Sequence, residues 1–481
     1  MRKLKVLLLL VFVAFAGKAY GNTLSEQQYL DLVAENNSEL KAVQANIDTV
    51  KGKLAEIERT YSYFLSAGAT YSDDQSGRAF AIDSLTMNRV SNLNSDVSLN
   101  KQFETGTQVS LGLQGSYGDY NSKASPSYEV TDIAPFVRLE QSLLKEWNGG
   151  ITKASISMAR ANAKSVLYLL EYQKQGILLN AKLAYWNLSY ARTVIDFRRS
   201  SLDRTKKIMD WNQRRYNLDL AEQSDMLQSQ AAYKSRELNL KLAYESEVKF
   251  SRDFNRLINV VDPKVNYQVE NFITVGSLGN FSNSKNLEKK GIRADVLSAM
   301  EDVVIAMQAQ FVSEKSMGSD LVFTGQFALS GVNKDFPKAS SDLAEMNKPS
   351  YSVGLRYTLP LDFSLRKTIN AGYKSAQIAA ERSVENSKLQ EESDWLQLVD
   401  NWNNAKSRFS LAVEIRDIQQ KRNEEDQRLL QKGRSTTYYV LQSEQDLDDA
   451  NLGMLQTILE LISIYEQAET FYNTAADVID K

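Results

Sequence analysis

Four segments of the chain alternate strictly between apolar and polar residues, and aromatic residues lie near their ends. These segments are Tyr63–Tyr71, Thr107–Tyr117, Leu321–Val332 and Tyr351–Leu361. A period of two residues predicts β-strands with one apolar and one polar face. Segments of about 9–11 residues with this pattern are typical of strands that cross an outer membrane, although half-buried strands of a soluble sandwich alternate in the same way.

Long stretches without proline predict unusually long helices around these strands. Residues 136–262 and 361–481 contain none of the 6 prolines, the residue that most strongly interrupts a helix. The predicted helices are Ser25–Arg59, Thr152–Tyr216, Glu222–Ile258, Arg293–Val312, Lys367–Leu430 and Thr436–Ile479. The second of these would be about 97 Å long. Such helices cannot enclose one compact core, so we expect them to pair laterally, as in coiled coils or helical tubes.

The second half of the chain repeats the first half. Glu39-Leu40 and Asp295-Val296 each open a helical run at an offset of 256 residues, whereas Leu227–Gln230 and Leu441–Glu444 match at an offset of 214. The first repeat therefore holds about 42 additional residues, around residues 75–120. We predict a first structural repeat at 22–260, a connector at 261–290 and a second repeat at 291–481. Each repeat is ordered as helix, strands, long helix, break and helix.

The first residues have the pattern of an export signal. Three basic residues within the first five precede the apolar run Val6–Ala16, and Ala19–Gly21 resembles a cleavage site. The apolar run is too short to span a membrane comfortably. We therefore predict that residues 1–21 are a signal peptide. No cysteine follows the apolar run, so we expect no lipid anchor at the mature N-terminus.

Composition excludes several classes of function. The chain carries 57 Lys and Arg against 60 Asp and Glu, so its charge gives no argument for nucleic acid binding. It contains neither cysteine nor histidine, which excludes disulfides, Cys or His nucleophiles and nearly all zinc sites. We interpret the acidic groups Glu424–Asp426 and Asp446, Asp448 and Asp449 as solvated helix faces. We expect that the protein is not an enzyme and that it binds neither a cofactor nor a metal ion.

The number of predicted strands limits how they could form a membrane barrel. One chain offers roughly four to six such strands, whereas the smallest membrane barrels need about eight. An open sheet edge cannot lie in lipid, because its backbone N–H and C=O groups would have no partners. A membrane barrel would therefore have to be assembled from several chains in a closed ring.

Several short motifs follow one another along the chain: Asn36–Leu40, Gln141–Leu144 followed by Gly149-Gly150, Arg215–Leu220, Arg293–Val296, Leu359–Leu361 and Leu430–Arg434. They resemble the motifs of the TolC-like outer membrane efflux family. Their order and duplication extend over the whole mature chain. Ser142 stands where the family usually has proline, and Asp219 stands where it has glycine. The additional residues include Val97–Phe103 and Thr107–Tyr117, which resemble an added hairpin.

The resemblance implies a mainly α-helical fold with a β-barrel portion. A long periplasmic α-helical barrel and a transmembrane β-barrel of twelve strands would be built from three protomers. Such a homotrimer is the passive outer-membrane exit duct of a tripartite efflux pump or a type I secretion system. It contacts outer-membrane lipid and a periplasmic adaptor protein, and an inner-membrane transporter indirectly. The alternative function is a periplasmic coiled-coil scaffold or adhesin without a channel. A carboxylate-based hydrolase would need a compact pocket, which the long helices do not favour.

The resemblance also suggests where function is located. The two helix breaks would form the periplasmic tips that contact the adaptor, at Leu218, Asp219, Leu220, Lys432, Gly433 and Arg434. Residues beyond the breaks would form the periplasmic aperture: Tyr439, Gln442, Asp225 and Arg434, with the last two as a candidate ion pair. The alternatives are solvated helix turns for the tips and packing between helices for Tyr438 and Tyr439. Aspartate tolerates left-handed backbone better than most residues, so we expect a turn at Asp219.

Overall fold

The computed structural model describes most of the chain and divides it into two compact units. The described residues are 23–76, 78–79, 86–122, 125–262, 266–272, 287–289, 291–361 and 363–471. The helical unit comprises the described residues of 1–48, 167–297 and 386–481, and the sheet unit those of 49–166 and 298–385. Each unit therefore combines residues from both predicted repeats. The predicted signal peptide and most of the predicted connector lie outside the described residues.

Long helices dominate the structure, as the proline-free stretches predict. The described residues form α1 (Glu26–Asn36), α2 (Ser38–Glu58), α3 (Gly150–Asn217), α4 (Gln223–Leu257), α5 (Ala294–Ser316), α6 (Phe336–Ala344), α7 (Phe363–Gln431) and α8 (Thr437–Glu469). The helices α3 and α7 contain 68 and 69 residues. The N-terminal end of α1 carries a capping box, because Gln28 N donates to Ser25 Oγ and Ser25 N donates to the Gln28 side chain.

The single first helix predicted over Ser25–Arg59 is wrong, because α1 and α2 are separated at Asn37. The backbone of Asn37 is extended, with φ −64° and ψ 123°. Its side-chain oxygen accepts a hydrogen bond from Leu40 N at 2.9 Å, and its Nδ2 donates to the carbonyl of Leu257 at 2.8 Å. Asn37 thus caps α2 and satisfies the C-terminal end of α4, which stabilises the interruption.

The sheet unit contains one antiparallel sheet. Its strands are β1 (Tyr63–Asp74), β2 (Arg78–Ala79), β3 (Thr86–Gln102), β4 (Gln108–Ser122), β5 (Ser125–Ser142), β6 (Asp320–Leu329), β7 (Gly331–Asn333) and β8 (Pro349–Thr358). The six longer strands lie in the order β1-β3-β4-β5-β6-β8, while β2 pairs with β3 and β7 pairs with β5. The strands β1 and β8 therefore form the two edges of the sheet.

The predicted alternation gives this sheet one apolar and one mostly polar face. One row across the six longer strands consists of Leu65, Leu99, Leu111, Val137, Phe327 and Tyr351. The next row consists of Phe64, Asn100, Ser110, Arg138, Gln326 and Ser352. Because consecutive residues of a strand point to opposite faces, the first row belongs to the apolar face and the second to the polar face.

The sheet holds six longer strands, which is the upper end of the four to six expected from the sequence. A twelve-stranded ring of three protomers implies four strands per chain, so this sheet holds two more than that. The difference is the hairpin β3–β4, which lies in the region where the offsets place additional residues. The strand β5 is not among the predicted alternating segments, because Pro126 and Pro135 interrupt its pattern. Pro135 lies where β5 changes its partner from β6 to β7, and a missing ladder donor is tolerated at such an irregularity.

An aromatic cluster forms the centre of the helical unit. Tyr29, Tyr185 and Phe254 are fully buried, and the rings of Tyr29 and Phe254 stack with their centroids 3.9 Å apart. The hydroxyl of Tyr29 donates to the carbonyl of Phe254 at 3.0 Å, and that of Tyr185 donates to the carbonyl of Leu24 at 2.8 Å. The rings thus bury a large apolar area while their polar atoms remain hydrogen-bonded.

We expect Phe254→Ala to destabilise the protein by about 3–5 kcal/mol, because it leaves a cavity beneath two buried rings. Tyr29→Phe keeps the stacked ring and removes only one buried hydrogen bond, so its expected cost is about 1 kcal/mol. Denaturant unfolding in detergent, followed by circular dichroism, measures both values. Equal losses in the two variants would contradict a stabilising role of ring packing at Phe254.

Candidate functional site

The candidate site is the region of the two helix breaks and the helix segments beyond them. The helix α3 ends at Asn217 and α7 ends at Gln431. Two residues after each end the backbone is left-handed, with φ 56° at Asp219 and 70° at Gly433. Glycine adopts this conformation readily, and aspartate is among the few other residues that tolerate it. The turn expected at Asp219 is confirmed, and it lies 214 residues before its counterpart, which is the offset found in the sequence.

Both breaks use the same backbone hydrogen bonds. Leu220 N donates to the carbonyl of Arg215, and Arg434 N donates to the carbonyl of Leu429, both at 2.8 Å. Each bond joins the last N–H of a six-residue segment to the carbonyl of its first residue, which lies in the last helical turn. This is the arrangement of a Schellman motif. The tip geometry is therefore determined locally, by one residue in left-handed conformation in each break.

The tip residues present apolar and cationic side chains at the surface of the chain. Leu218 is 68 % exposed and Leu220 is 62 % exposed. On the second tip, Lys432, Gly433 and Arg434 are all exposed. Two exposed leucines on one turn form a surface that could be buried against another protein.

Two of the predicted aperture residues, Tyr439 and Gln442, lie on the exposed face of α8. Tyr438 and Tyr439 are 53 % and 55 % exposed, and their rings meet edge to face at 5.6 Å. Gln442 is also exposed, and its Nε2 donates to Asp446 Oδ1 at 2.8 Å. Neither tyrosine is thus buried between helices of the same chain.

The remaining aperture residues are not joined within one chain. Asp225 is half-buried in the first turn of α4, and Arg434 is exposed at the second tip. Among the described residues, no ion pair links these two side chains. Their assignment to the aperture stays a prediction.

A buried ionic network lies beyond the tips, and the sequence did not reveal it. Arg204 donates to Glu444 at 2.8 Å and to Asp448 at 3.1 Å, and Arg236 lies 3.5 Å from the other Asp448 oxygen. Glu444 is fully buried, and Asp448 and Arg236 are nearly so. These four side chains belong to α3, α4 and α8, so the network joins helices of both breaks.

Polar side chains complete the network. Asn423 Nδ2 and Gln427 Nε2, both on α7, donate to the second oxygen of Glu444 at 2.9 and 2.6 Å. The hydroxyl of Ser201 donates to Asp448. Burial nevertheless raises the pKa of Asp448 above its ordinary value, although Ser201, Arg236 and Arg204 act in the opposite direction. A buried ionic network of this kind is costly to leave incomplete, because each missing partner would leave an unpaired buried charge.

The interpretation of Asp448 as part of a solvated face is wrong. Val440, Glu444, Leu447 and Asp448 all lie on the buried face of α8. Their spacing of four, three and one residues is that of a single helix stripe, so two acids share an otherwise apolar face. In the sequence, the sign of burial was an acidic residue within an apolar helix stripe. Of the neighbouring acids, Asp449 is exposed and Asp446 is half-buried, where it pairs with Arg422 at 2.7 Å.

Neither a metal site nor a membrane-spanning helix is apparent in the described residues. No group of three or more acidic side chains among them is arranged to hold a metal ion. None of their helices combines the length and the apolar character that crossing a bilayer requires.

The architecture of the chain is similar to that of outer membrane channels. VceC, an outer membrane protein of Vibrio cholerae, is 12 % identical with a TM-score of 0.66, over 93 % of this chain and 95 % of VceC. The outer membrane channel CmeC of Campylobacter jejuni is 13 % identical with a TM-score of 0.62, over 95 % and 88 %. The Neisseria gonorrhoeae channel MtrE, solved in an open state, is 13 % identical with a TM-score of 0.62, over 93 % and 88 %.

The chain has the fold of these outer membrane channels. The resemblance that the short motifs predict is thereby confirmed at the level of the fold. No protein-family model and no curated protein matches the sequence. The similarity to these channels is therefore a similarity in the arrangement of helices and strands, and few residues are identical.

We expect the ionic network to make stability depend on pH through Asp448. The pKa of Asp448 is higher in the folded protein than in the unfolded chain, so the folded protein keeps the proton on this carboxyl group up to a higher pH. Proton binding at Asp448 therefore stabilises the folded protein fully below about pH 3.8. This stabilisation is lost as pH rises through the pKa of Asp448 in the folded protein. The difference in unfolding free energy between wild type and Asp448→Asn should therefore fall with rising pH across this window.

Denaturant unfolding at several pH values measures this difference. Asp449→Asn serves as the control, since it removes one negative charge from the exposed face of the same helix. Parallel pH curves for the wild type and Asp448→Asn would contradict the prediction.

Proposed function

We propose that this protein is the outer-membrane exit duct of a tripartite efflux pump or a type I secretion system. It is a passive channel for small molecules or polypeptides and catalyses no bond chemistry. The observation that carries the proposal is the sheet, whose apolar and polar faces occur in one chain with helices of 68 and 69 residues. The fold shared with outer membrane channels supports the same function.

The sheet supports a location in the outer membrane. Many large apolar side chains on its apolar face are exposed in the single chain, among them Leu65 at 75 % and Val353 at 70 %. A sheet with this face in lipid needs partners for its two edges. Copies of the chain supply them in a closed ring, and the resemblance to the TolC-like family favours three copies. The signal peptide at residues 1–21 would direct the chain out of the cytoplasm.

The tips support contact with a periplasmic adaptor protein. Leu218 and Leu220 on one break offer apolar area, and Lys432 and Arg434 on the other offer positive charge. These side chains suit a partner that buries the leucines and pairs with the cations. The inner-membrane transporter would then act through the adaptor. The two predicted repeats, 22–260 and 291–481, would each supply one tip.

Extraction distinguishes the channel from a scaffold or adhesin. We expect the protein to fractionate with the outer membrane, to require detergent for extraction and to appear in electron micrographs as three-fold hollow cylinders. This expectation follows from the exposed apolar face of the sheet, which aggregates unless lipid or detergent covers it. A monomer that stays soluble without detergent would refute the channel and leave the scaffold.

Tyr439 is proposed to narrow the periplasmic aperture. In a trimer its ring would occur three times around the axis, so Tyr439→Ala should raise the basal conductance several-fold in planar bilayers. Tyr438→Ala is the matched control, because the two side chains point about 100° apart around the helix. Unchanged conductance would remove Tyr439 from the aperture, and equal increases in both variants would indicate general loosening.

A further inference from the structure

We propose that the hairpin β3–β4 belongs to the wall of the barrel, so that three copies form a ring of eighteen strands. This inference rests on the proposed channel function and concerns the size and the closing edges of the ring. The first predicted repeat contributes β1, β3, β4 and β5, whereas the second contributes β6 and β8. The hairpin thus accounts for the two strands that distinguish the repeats.

The hairpin is an internal part of the sheet. On one side β3 pairs with β1 along the whole length of β1, from Tyr63 opposite Lys101 to Asp74 opposite Val90. On the other side β4 pairs with β5 from Gln108 opposite Glu140 onward. The hairpin could not leave the sheet without breaking both ladders, and β1 would then lose its partner strand.

The side chains of the hairpin have the same polarity as the rest of the sheet. On its apolar face Leu93, Val97, Leu99, Leu111 and Leu113 are between 40 % and 49 % exposed. Its opposite face is lined with small or polar residues. They are Asn92, Asn94, Asp96, Ser98, Asn100, Ser110, Gly112, Gln114 and Ser116. This division suits a strand pair between lipid and an aqueous lumen.

The turn of the hairpin is locked onto the start of α3. Gly106 and Gly149 both have positive φ and lie against one another. A Cβ atom on Gly149 would lie 1.8 Å from the carbonyl oxygen of Glu104, so only glycine permits this approach. Gln102 Nε2 donates to Thr152 Oγ1 at 3.1 Å, and Thr107 Oγ1 donates to Gln141. These contacts hold the added turn at the same end of the sheet as the junction between β5 and α3.

The two edges of the six-stranded sheet fit a second copy of the chain. All six strands alternate in direction, so β1 and β8 run in opposite senses. The β1 strand of one copy can therefore pair antiparallel with the β8 strand of the next, which only an even number of strands per copy allows. In the part of the chain that the structure describes, no second strand pairs with β1 or β8, and Tyr63 is 66 % and Tyr351 83 % exposed. Both edges also place tyrosines on the apolar face.

Eighteen strands make a considerably wider barrel than twelve. With strands about 4.8 Å apart and tilted by about 40°, the backbone diameter is about 36 Å for eighteen strands and about 24 Å for twelve. The added hairpin therefore widens the exit by roughly half. A barrel of this strand number leaves an open aqueous lumen, as it does in large porins.

Electron cryomicroscopy of the detergent-extracted protein tests the inference. We expect a three-fold ring of eighteen strands about 36 Å across, in which β1 of one copy pairs with β8 of the next. A three-fold ring of twelve strands with the hairpin outside the wall would overturn the inference and leave the channel function intact. A soluble protein without a ring would overturn both.

Two variants provide a second measurement. A deletion of residues 91–119 removes most of the hairpin and leaves an even number of strands, so rings that assemble should narrow to about 24 Å. Unchanged diameter in the deletion variant would overturn the inference.

Gly149→Val should displace the locked turn and lower the melting temperature of the trimer, whereas Gly176→Ala, where no atom lies within 4 Å of the added Cβ, should not lower it. Equal melting temperatures for wild type and Gly149→Val would show that the turn is not locked and would overturn the inference.

Discussion

Backbone hydrogen bonding at the edges of the sheet is the constraint on which the proposed architecture depends. Among the described residues, the strands β1 and β8 each have a neighbouring strand on one side only, which leaves one row of backbone N–H and C=O groups at each edge of the sheet. In lipid, each backbone group without a hydrogen-bond partner costs several kcal/mol. A six-stranded sheet with an apolar face therefore needs partner strands at both edges before it can lie in lipid. Its strand number is even, which lets identical copies close a ring. In the proposed channel, each chain is therefore one arc of a larger barrel.

The long helices of the helical unit carry both apolar and charged residues on their buried faces. The stacked rings of Tyr29 and Phe254 supply apolar burial. The carboxylates of Glu444 and Asp448 are buried as well, and they are paired with arginines and amides from neighbouring helices. Apolar contacts alone permit sliding between long helices, whereas directional bonds fix one register. The ionic network therefore positions the helix segments next to the tips.

Features governed by neighbouring residues were predictable from the sequence. The capping box at Ser25 and Gln28, the left-handed turn at Asp219 and the alternation in Tyr351–Leu361 each depend on a few adjacent side chains. The long helices α3 and α7 follow from the absence of proline. For the candidate site, the sequence located both helix breaks. It did not identify the partners of Asp448, which come from two helices, α3 and α4, far from α8 in the chain.

The sequence by itself thus determined the classes of elements, their order and the polarity of each face, because these depend on local sterics and periodicity. Only the tertiary structure decided that Asn37 divides the first helix, since its side chain also bonds to Leu257. It also decided that β5 joins the sheet despite Pro135, and that the hairpin β3–β4 lies inside the sheet. These outcomes depend on hydrogen bonds between residues distant in sequence, and such partners become known only when the chain is folded.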